Sequence, residues 1–275
     1  MKPSRALLVV PLLVACSASP RPAPAGDPAA YDSGAADAAV SEGGVPETHA
    51  PGTWCAGRAA LFCDDFDTPA FTAKSWSMTD TKGSSGPGLP PGALGTMNTT
   101  SAPNAFTART PAIAGATSEI LRAQSSGAGP DASHVDADFA FAVRVAALGA
   151  GPRIEIARIE GLNPITFASY GIALLVSSSG ASVELAQGSK AKVVQPLATA
   201  PRAGAWSRIA MHLALERTVN GPPTSIVIQI DAGTPETFSL ERGMGVRPFF
   251  RLGLDVVGPS APCEVAFDDV TYDAR

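Results

Sequence analysis

The chain has 275 residues, a formal net charge of −5 and a charged fraction of only 16%. A nucleic-acid-binding surface needs clustered Lys and Arg, which this composition does not supply, so nucleic acid is excluded as a partner. The 27 glycines and 25 prolines favour a protein with many turns and an unfolded segment.

The first 16 residues have the pattern of a targeting segment. Two basic residues precede an apolar run over 6–15 that is too short to span a membrane stably. The run ends at Leu13-Val14-Ala15-Cys16, which resembles the lipobox of bacterial lipoproteins. This resemblance implies cleavage before Cys16 and lipidation of its thiol, and the alternative is an ordinary signal peptide with a chance cysteine. Because Ser17 occupies the position of an inner-membrane retention residue, we expect an extracytoplasmic protein, lipid-anchored to the outer membrane.

Residues 17–52 consist mainly of Ala, Pro, Gly, Ser and Asp. Such a segment cannot bury enough apolar surface to offset the entropy that it would lose on ordering. We therefore predict a disordered tether over 17–52, followed by one folded domain over 53–275, whose size suits a single all-β unit.

Short runs with period-two alternation fill this domain. In the clearest, over 134–145, apolar residues alternate with His, Asp, Ala and Arg. About a dozen such runs, separated by Gly- and Pro-rich turns, predict an antiparallel sandwich or barrel. Alternation breaks within 153–160, where a bulge after Ala157 would return Ile159 to the face of Ile154 and Ile156.

Three stretches carry a resemblance to a known family. They are Phe62-Cys63-Asp64-Asp65-Phe66-Asp67, the run from Trp206 through a Gly-Pro turn to Ile228, and Phe267-Asp268-Asp269-Val270. They resemble concanavalin A-like lectin/glucanase domains, also called laminin-G-like jelly rolls, from about residue 60 to residue 275. The resemblance implies two stacked antiparallel sheets, one of them concave, with the first and last strands paired.

Three cysteines lie beyond the targeting segment, so one thiol is left over whichever pair forms. Cys55 and Cys63 are eight residues apart, and we predict a disulfide between them in an oxidising envelope. Cys63 with Cys263 is the rival pairing, because the first and last strands can adjoin.

Two glutamates are the candidates for catalysis. Family 16 glycoside hydrolases, a subgroup of this superfamily, carry two Glu flanking an Asp on a bulged strand, and Glu155 and Glu160 resemble that pair. Retaining hydrolysis needs two carboxylates about 5 Å apart. With the predicted bulge, both would share a face with Ala157, which stands where the supporting Asp belongs. We therefore predict that the domain is not an enzyme.

Acidic residues concentrate where the terminal strands should meet, among them Asp65, Asp67 and Asp269. Like charges at short distance repel, and a structural Ca²⁺ bound by their oxygens would relieve that repulsion. Many jelly-roll sugar-binding domains carry such an ion. The alternative is that these carboxylates cap turns or accept backbone N–H groups.

These observations predict a lipid-anchored envelope protein whose domain binds a glycan or cell-envelope polysaccharide without cleaving it. One alternative is a structural or adhesive surface protein without a sugar site. Another is a glycoside hydrolase or lyase. The sequence does not identify the ligand-binding residues.

Overall fold

The structure is a computed structural model. It describes residues 54–56, 58–67, 76, 78–80, 93–95, 104–110, 117–124, 134–148, 153–162, 169–188, 190–216, 224–240, 248–256 and 261–275. The chain divides into two compact units, 1–39 and 40–275, and all described residues belong to the second. The predictions made for 1–16, including lipidated Cys16, and for the tether over 17–52 lie outside the described residues. In the described part, no helix is long and apolar enough to cross a membrane.

Within these ranges the secondary structure is entirely β. The strands are β1 (Phe62–Asp64), β2 (Met78–Asp80), β3 (Ala93–Gly95), β4 (Ala105–Thr110), β5 (Thr117–Gln124), β6 (His134–Ala147), β7 (Ile154–Leu162), β8 (Ser169–Ser177), β9 (Gly180–Gln187), β10 (Val193–Pro196), β11 (Trp206–Glu216), β12 (Thr224–Ile230), β13 (Glu236–Leu240), β14 (Phe249–Val256) and β15 (Cys263–Ala274).

The strands form two antiparallel sheets. The eight-stranded sheet has the order β13-β12-β11-β6-β15-β4-β3, and β1 also pairs with β15. The seven-stranded sheet has the order β10-β9-β8-β7-β14-β5-β2. Apolar side chains from both sheets belong to one buried cluster. The predicted all-β, two-sheet antiparallel fold is therefore confirmed.

Strand β6 shows how the sequence pattern produces this core. Its apolar positions from Val135 to Val145 are buried, whereas His134, Asp136 and Asp138 point outward. The alternation follows from the period of two in a pleated strand. Neighbouring β11 repeats it in antiparallel register, which places Phe139 opposite Met211.

The first and last strands are paired, as predicted. Phe62 lies opposite Tyr272, and Asp64 lies opposite Val270. The register of β15 on β6 shifts between Asp268 and Thr271, where Asp269 has a φ of 49°. This irregularity is typical of a β-bulge, which bends a strand and increases its twist.

Aromatic rings join this strand pair to the opposite sheet. Trp76 packs edge-on against Phe62 and Phe250, at 4.9 and 5.7 Å between ring centroids. Phe250 on β14 also stacks on Tyr272 at 4.8 Å. The indole N–H of Trp76 donates to Asp64 at 2.6 Å, which gives the buried ring a partner for its polar edge.

Strand β7 contains the predicted irregularity, but its position and consequence differ. The register with β8 shifts between Glu155 and Ala157, and Ile154, Ile156 and Ile159 all lie in the core. Ala157 also lies in the core and does not share a face with Glu155 and Glu160, so that part of the prediction is wrong. The shift comes before Ala157, and this is why Ala157 turns inward.

Candidate functional site

A cluster of charged side chains lies on the outward face of the seven-stranded sheet. We call it the arginine cluster, and its members are Glu155, Arg158 and Glu160 of β7 with Arg251 and Asp255 of β14. Its position follows from strand alternation, because the positions between these residues on β14, such as Leu252 and Leu254, are buried in the core. β7 and β14 are neighbours, with Arg158 directly opposite Arg251.

Glu155 lies at the centre of the arginine cluster. Arg158 donates to both of its carboxylate oxygens, through Nε at 2.9 Å and through Nη2. Arg251 donates to Oε1 through Nε at 3.1 Å and Nη2 at 2.7 Å. The Glu155 side chain is only 9% exposed. It therefore acts as an anchor that fixes two guanidinium groups side by side.

Glu160 and Asp255 form the more open edge of the arginine cluster. The Glu160 carboxylate lies 3.4 Å from Nε of Arg158 and 3.4 Å from Nη2 of Arg251. Asp255 lies 3.7 Å from Nη2 of Arg251. Both side chains are 28% exposed, so they can meet a ligand that Glu155 cannot reach.

Burial by itself lowers the pKa of Arg158. Hydrogen bonds to Glu155 and the negative charges of Glu155, Glu160 and Glu184 more than offset this, so the pKa of Arg158 lies above its ordinary value. An arginine carries five N–H donors, so the bonds to Glu155 leave donors for a further anion. The cluster can hold a ligand carboxylate beside a fixed positive charge.

The structure brings the two predicted glutamates together, since both lie within 3.4 Å of Nη2 of Arg251. Sequence reasoning missed Arg158, Arg251 and Asp255, whose charged side chains form the arginine cluster with the two glutamates. It also missed Phe249, a partly exposed aromatic residue directly opposite Glu160 on the neighbouring strand. For the two β14 residues, the signal that could have found them is the alternation of 249–255, which places Arg251 two positions and Asp255 six positions after Phe249.

The predicted disulfide between Cys55 and Cys63 is confirmed. Cys263 is buried as a free thiol, so the rival pairing does not form. The thiol lies 3.3 Å from the carbonyl oxygen of Ala261.

Each of the three aspartates predicted to hold calcium makes a hydrogen bond within the protein. Asp65 accepts the N–H of Asp67 at 3.3 Å, and Asp67 accepts that of Asn104 at 3.3 Å. Asp269 offers its carbonyl oxygen to Arg208 at 2.7 Å. Over the described ranges, no group of three or more His, Cys, Asp or Glu side chains is placed to hold a metal ion. The structural calcium ion stays a prediction.

Arg208 is held against the N-terminal part of the domain. Its guanidinium lies 5.2 Å from the centroid of the Trp54 ring, and that of Arg58 lies 4.0 Å from the same ring. Burial lowers the pKa of Arg208 to about 10, although the charge of Asp269 acts in the opposite direction. Trp54 therefore packs on the outward face of β11.

A second group of charged residues lies on the outward face of the eight-stranded sheet. His212 is 2.8 Å from Asp138 through Nδ1 and 3.7 Å from Asp136 through Nε2. His134 lies 3.3 Å from Asp136, and Arg275 lies 3.7 Å from Asp138. This group is on the opposite surface of the sandwich from the arginine cluster.

No protein-family model matches the chain, and no curated protein matches it. Several solved structures are similar to it. The alginate lyase vAL-1 from Chlorella virus is 10% identical with a TM-score of 0.58, covering 78% of this chain and 100% of the viral one. The fold of this chain is thus a β-jelly roll. The family 7 alginate lyase A1-II' is 13% identical with a TM-score of 0.45, covering 62% of this chain and 79% of its own. The alginate lyase from Klebsiella pneumoniae is 11% identical with a TM-score of 0.39, covering 62% and 81%.

The likeness to the viral protein overturns two predictions. The predictions that the domain binds a glycan without cleaving it and that it is not an enzyme are wrong, because the similar jelly roll is an alginate lyase. The physical reason for the error is that Ala157 was taken as the residue between the two glutamates. Arg158 occupies that place instead, and it contacts both glutamates.

Proposed function

We propose that this chain is a polysaccharide lyase that cleaves a uronic-acid polysaccharide at the arginine cluster. The observation that carries the proposal is the pair of guanidinium groups, Arg158 and Arg251, held by Glu155 beside the more exposed Glu160. The likeness to the viral alginate lyase supports the same reaction class by analogy of fold.

The chemistry of β-elimination explains why such a cluster suits the reaction. The step removes the proton on C5, next to the uronate carboxylate, and expels the glycosidic oxygen from C4. Negative charge develops on the carboxylate as the C5–H bond breaks. Fixed cations aimed at that position stabilise the transition state without reorganising.

Each residue has a role in this scheme. Arg251 and Arg158 bind the uronate carboxylate, and Glu160 removes the C5 proton as general base. The electron pair of the C5–H bond forms the C4=C5 double bond, and the pair of the C4–O bond leaves with O4. Protonated Glu160 then gives its proton to O4, so one carboxylate serves as base and acid. Phe249, opposite Glu160, offers an apolar surface to the neighbouring sugar ring.

The location of the protein is part of the proposal. The lipobox at Cys16 supports an envelope lipoprotein, with the membrane as its partner through the lipid anchor and with a polysaccharide as substrate. An extracytoplasmic lyase would meet a polymer that is too large to enter the cell.

The test is turnover of alginate and of polygalacturonate by the purified protein, followed through the ultraviolet absorbance of the new C4=C5 double bond. Glu160→Gln should reduce kcat by about 10²–10⁴, as expected for loss of a general base. Arg251→Gln should reduce kcat/KM by about 10²–10³, as expected for loss of a transition-state donor.

Arg109 and Glu264 provide matched controls, because they form a 2.9 Å ion pair on the other sheet. Arg109→Gln and Glu264→Gln should each retain activity within about twofold, as usual for surface changes. Absence of the double bond with both polymers would contradict the proposal. Reducing sugar released without the double bond would instead indicate hydrolysis.

A further inference from the structure

Arg158 lies across strand β8 toward β9. Its position on β7 pairs with Ala173 of β8, which in turn pairs with Glu184 of β9. A Cβ atom added to Gly171, the next outward position on β8, would lie 2.8 Å from Nη1 of Arg158. The side chains of β8 along this path are therefore small because the guanidinium occupies the space above them.

Glu184 has two cationic neighbours. Nζ of Lys192 lies 2.8 Å from its Oε1, and Nη2 of Arg158 lies 3.7 Å from the same atom. Lys192 is 60% exposed, whereas Arg158 is 13% exposed. The exposed Lys192 therefore makes the closer contact with Glu184, and the more buried Arg158 makes the more distant one.

From this arrangement we propose that Lys192 is a positioning residue that leaves Arg158 available to the substrate. The inference rests on the proposed function, in which Arg158 binds a uronate carboxylate. When the substrate takes Arg158, Glu184 would lose one cation, and a partly buried carboxylate without a partner is costly. Lys192 stays beside Glu184 when the substrate binds Arg158, so the carboxylate of Glu184 is not left without a cation.

The proposal predicts a specific effect of removing the lysine charge. In Lys192→Gln, Glu184 competes with the substrate for Arg158, so KM for alginate should rise about threefold to tenfold while kcat stays within about twofold. In the double variant Lys192→Gln/Glu184→Gln the competing charge is absent, and KM should return to within about twofold of wild type. Glu184→Gln alone should leave KM at or below the wild-type value.

Lys190→Gln is the matched control, since Lys190 is a second exposed lysine two residues away, and its KM should not change. An unchanged KM in Lys192→Gln would overturn the inference while leaving the lyase assignment intact. A raised KM that the double variant fails to restore would also overturn it, because Lys192 would then contact the polymer itself. A wild-type protein that neither cleaves nor binds alginate would overturn both proposals.

Discussion

At the scale of single residues, Glu155 explains why the candidate site was only partly predictable. The sequence placed Glu155 and Glu160 on one bulged strand, and the structure brings them together. Arg251, which bonds to Glu155, lies 96 positions further along the chain. Only strand pairing brings the two together, so a local pattern could not assign the arginine to this site.

The contact between His212 and Asp138 gives a pH-dependent prediction at the same scale. The hydrogen bond to Asp138 raises the pKa of His212 above its ordinary value, with further support from the charges of Asp138 and Asp136 and opposition from burial and Arg275. Because the pKa is higher in the folded state, the stabilisation is fully present below the unfolded value of about 6.5. It is lost as the pH rises through the folded pKa.

Melting temperatures of wild type and His212→Gln between pH 5 and pH 9 would measure this effect. The wild type should melt at the higher temperature at acidic pH, and the difference in melting temperature between the two proteins should become smaller as the pH rises. A His134→Gln variant serves for comparison, because His134 belongs to the same charged group and lies 3.3 Å from Asp136. A gap that widens toward alkaline pH would contradict the assignment.

At the scale of elements, the alternation of apolar and polar residues predicted most strands. It failed where the register between strands shifts. The apolar period of β6 and β11 gave the correct inward faces, because a strand repeats every two residues. In β7 the register shift comes before Ala157, and one residue of difference decides which side chain faces outward. Gly253 of β14, with a φ of 140°, lies where the register with β7 also shifts. The two irregularities face each other under the arginine cluster.

The junction between the turn after β1 and the bulge of β15 carries the calcium prediction. If Ca²⁺ binds at Asp65, Asp67 and Asp269, EDTA lowers the melting temperature and excess Ca²⁺ restores it, because the ion binds only the native state. Asp269→Asn should abolish this response, and Asn tolerates the positive φ of that position. A melting temperature that EDTA does not change would leave the three aspartates as acceptors for the turn and the bulge.

At the scale of the whole molecule, the sequence predicted the fold but not the activity that we propose. Alternation and turns predict an antiparallel sandwich or barrel, and the family resemblance of the stretches that frame the domain implies two sheets with paired terminal strands. The same architecture hosts binding proteins and enzymes, so activity depends on which side chains meet on one face. The predicted absence of catalysis was wrong because it tested for a hydrolase pair and did not consider Arg158 on the same strand or Arg251 on the neighbouring strand.

The lipid anchor is a prediction for the complete protein. Cys16→Ser should abolish labelling by a radioactive fatty acid and should release the protein from the membrane fraction. Cys263→Ser is a control that removes a thiol elsewhere and should leave labelling unchanged. Labelling that persists in Cys16→Ser would refute the anchor.

The packing of Trp54 against β11 has a consequence for how the proposed lyase would meet a large polymer. The chain enters the domain beside Arg208, on the outward surface of the eight-stranded sheet, and Arg275 pairs with Asp136 on that same sheet. The arginine cluster is on the outward surface of the other sheet. The packing of Trp54 and the arginine cluster are therefore on opposite sides of the sandwich, and a polymer bound at the proposed site would lie on the side away from Trp54.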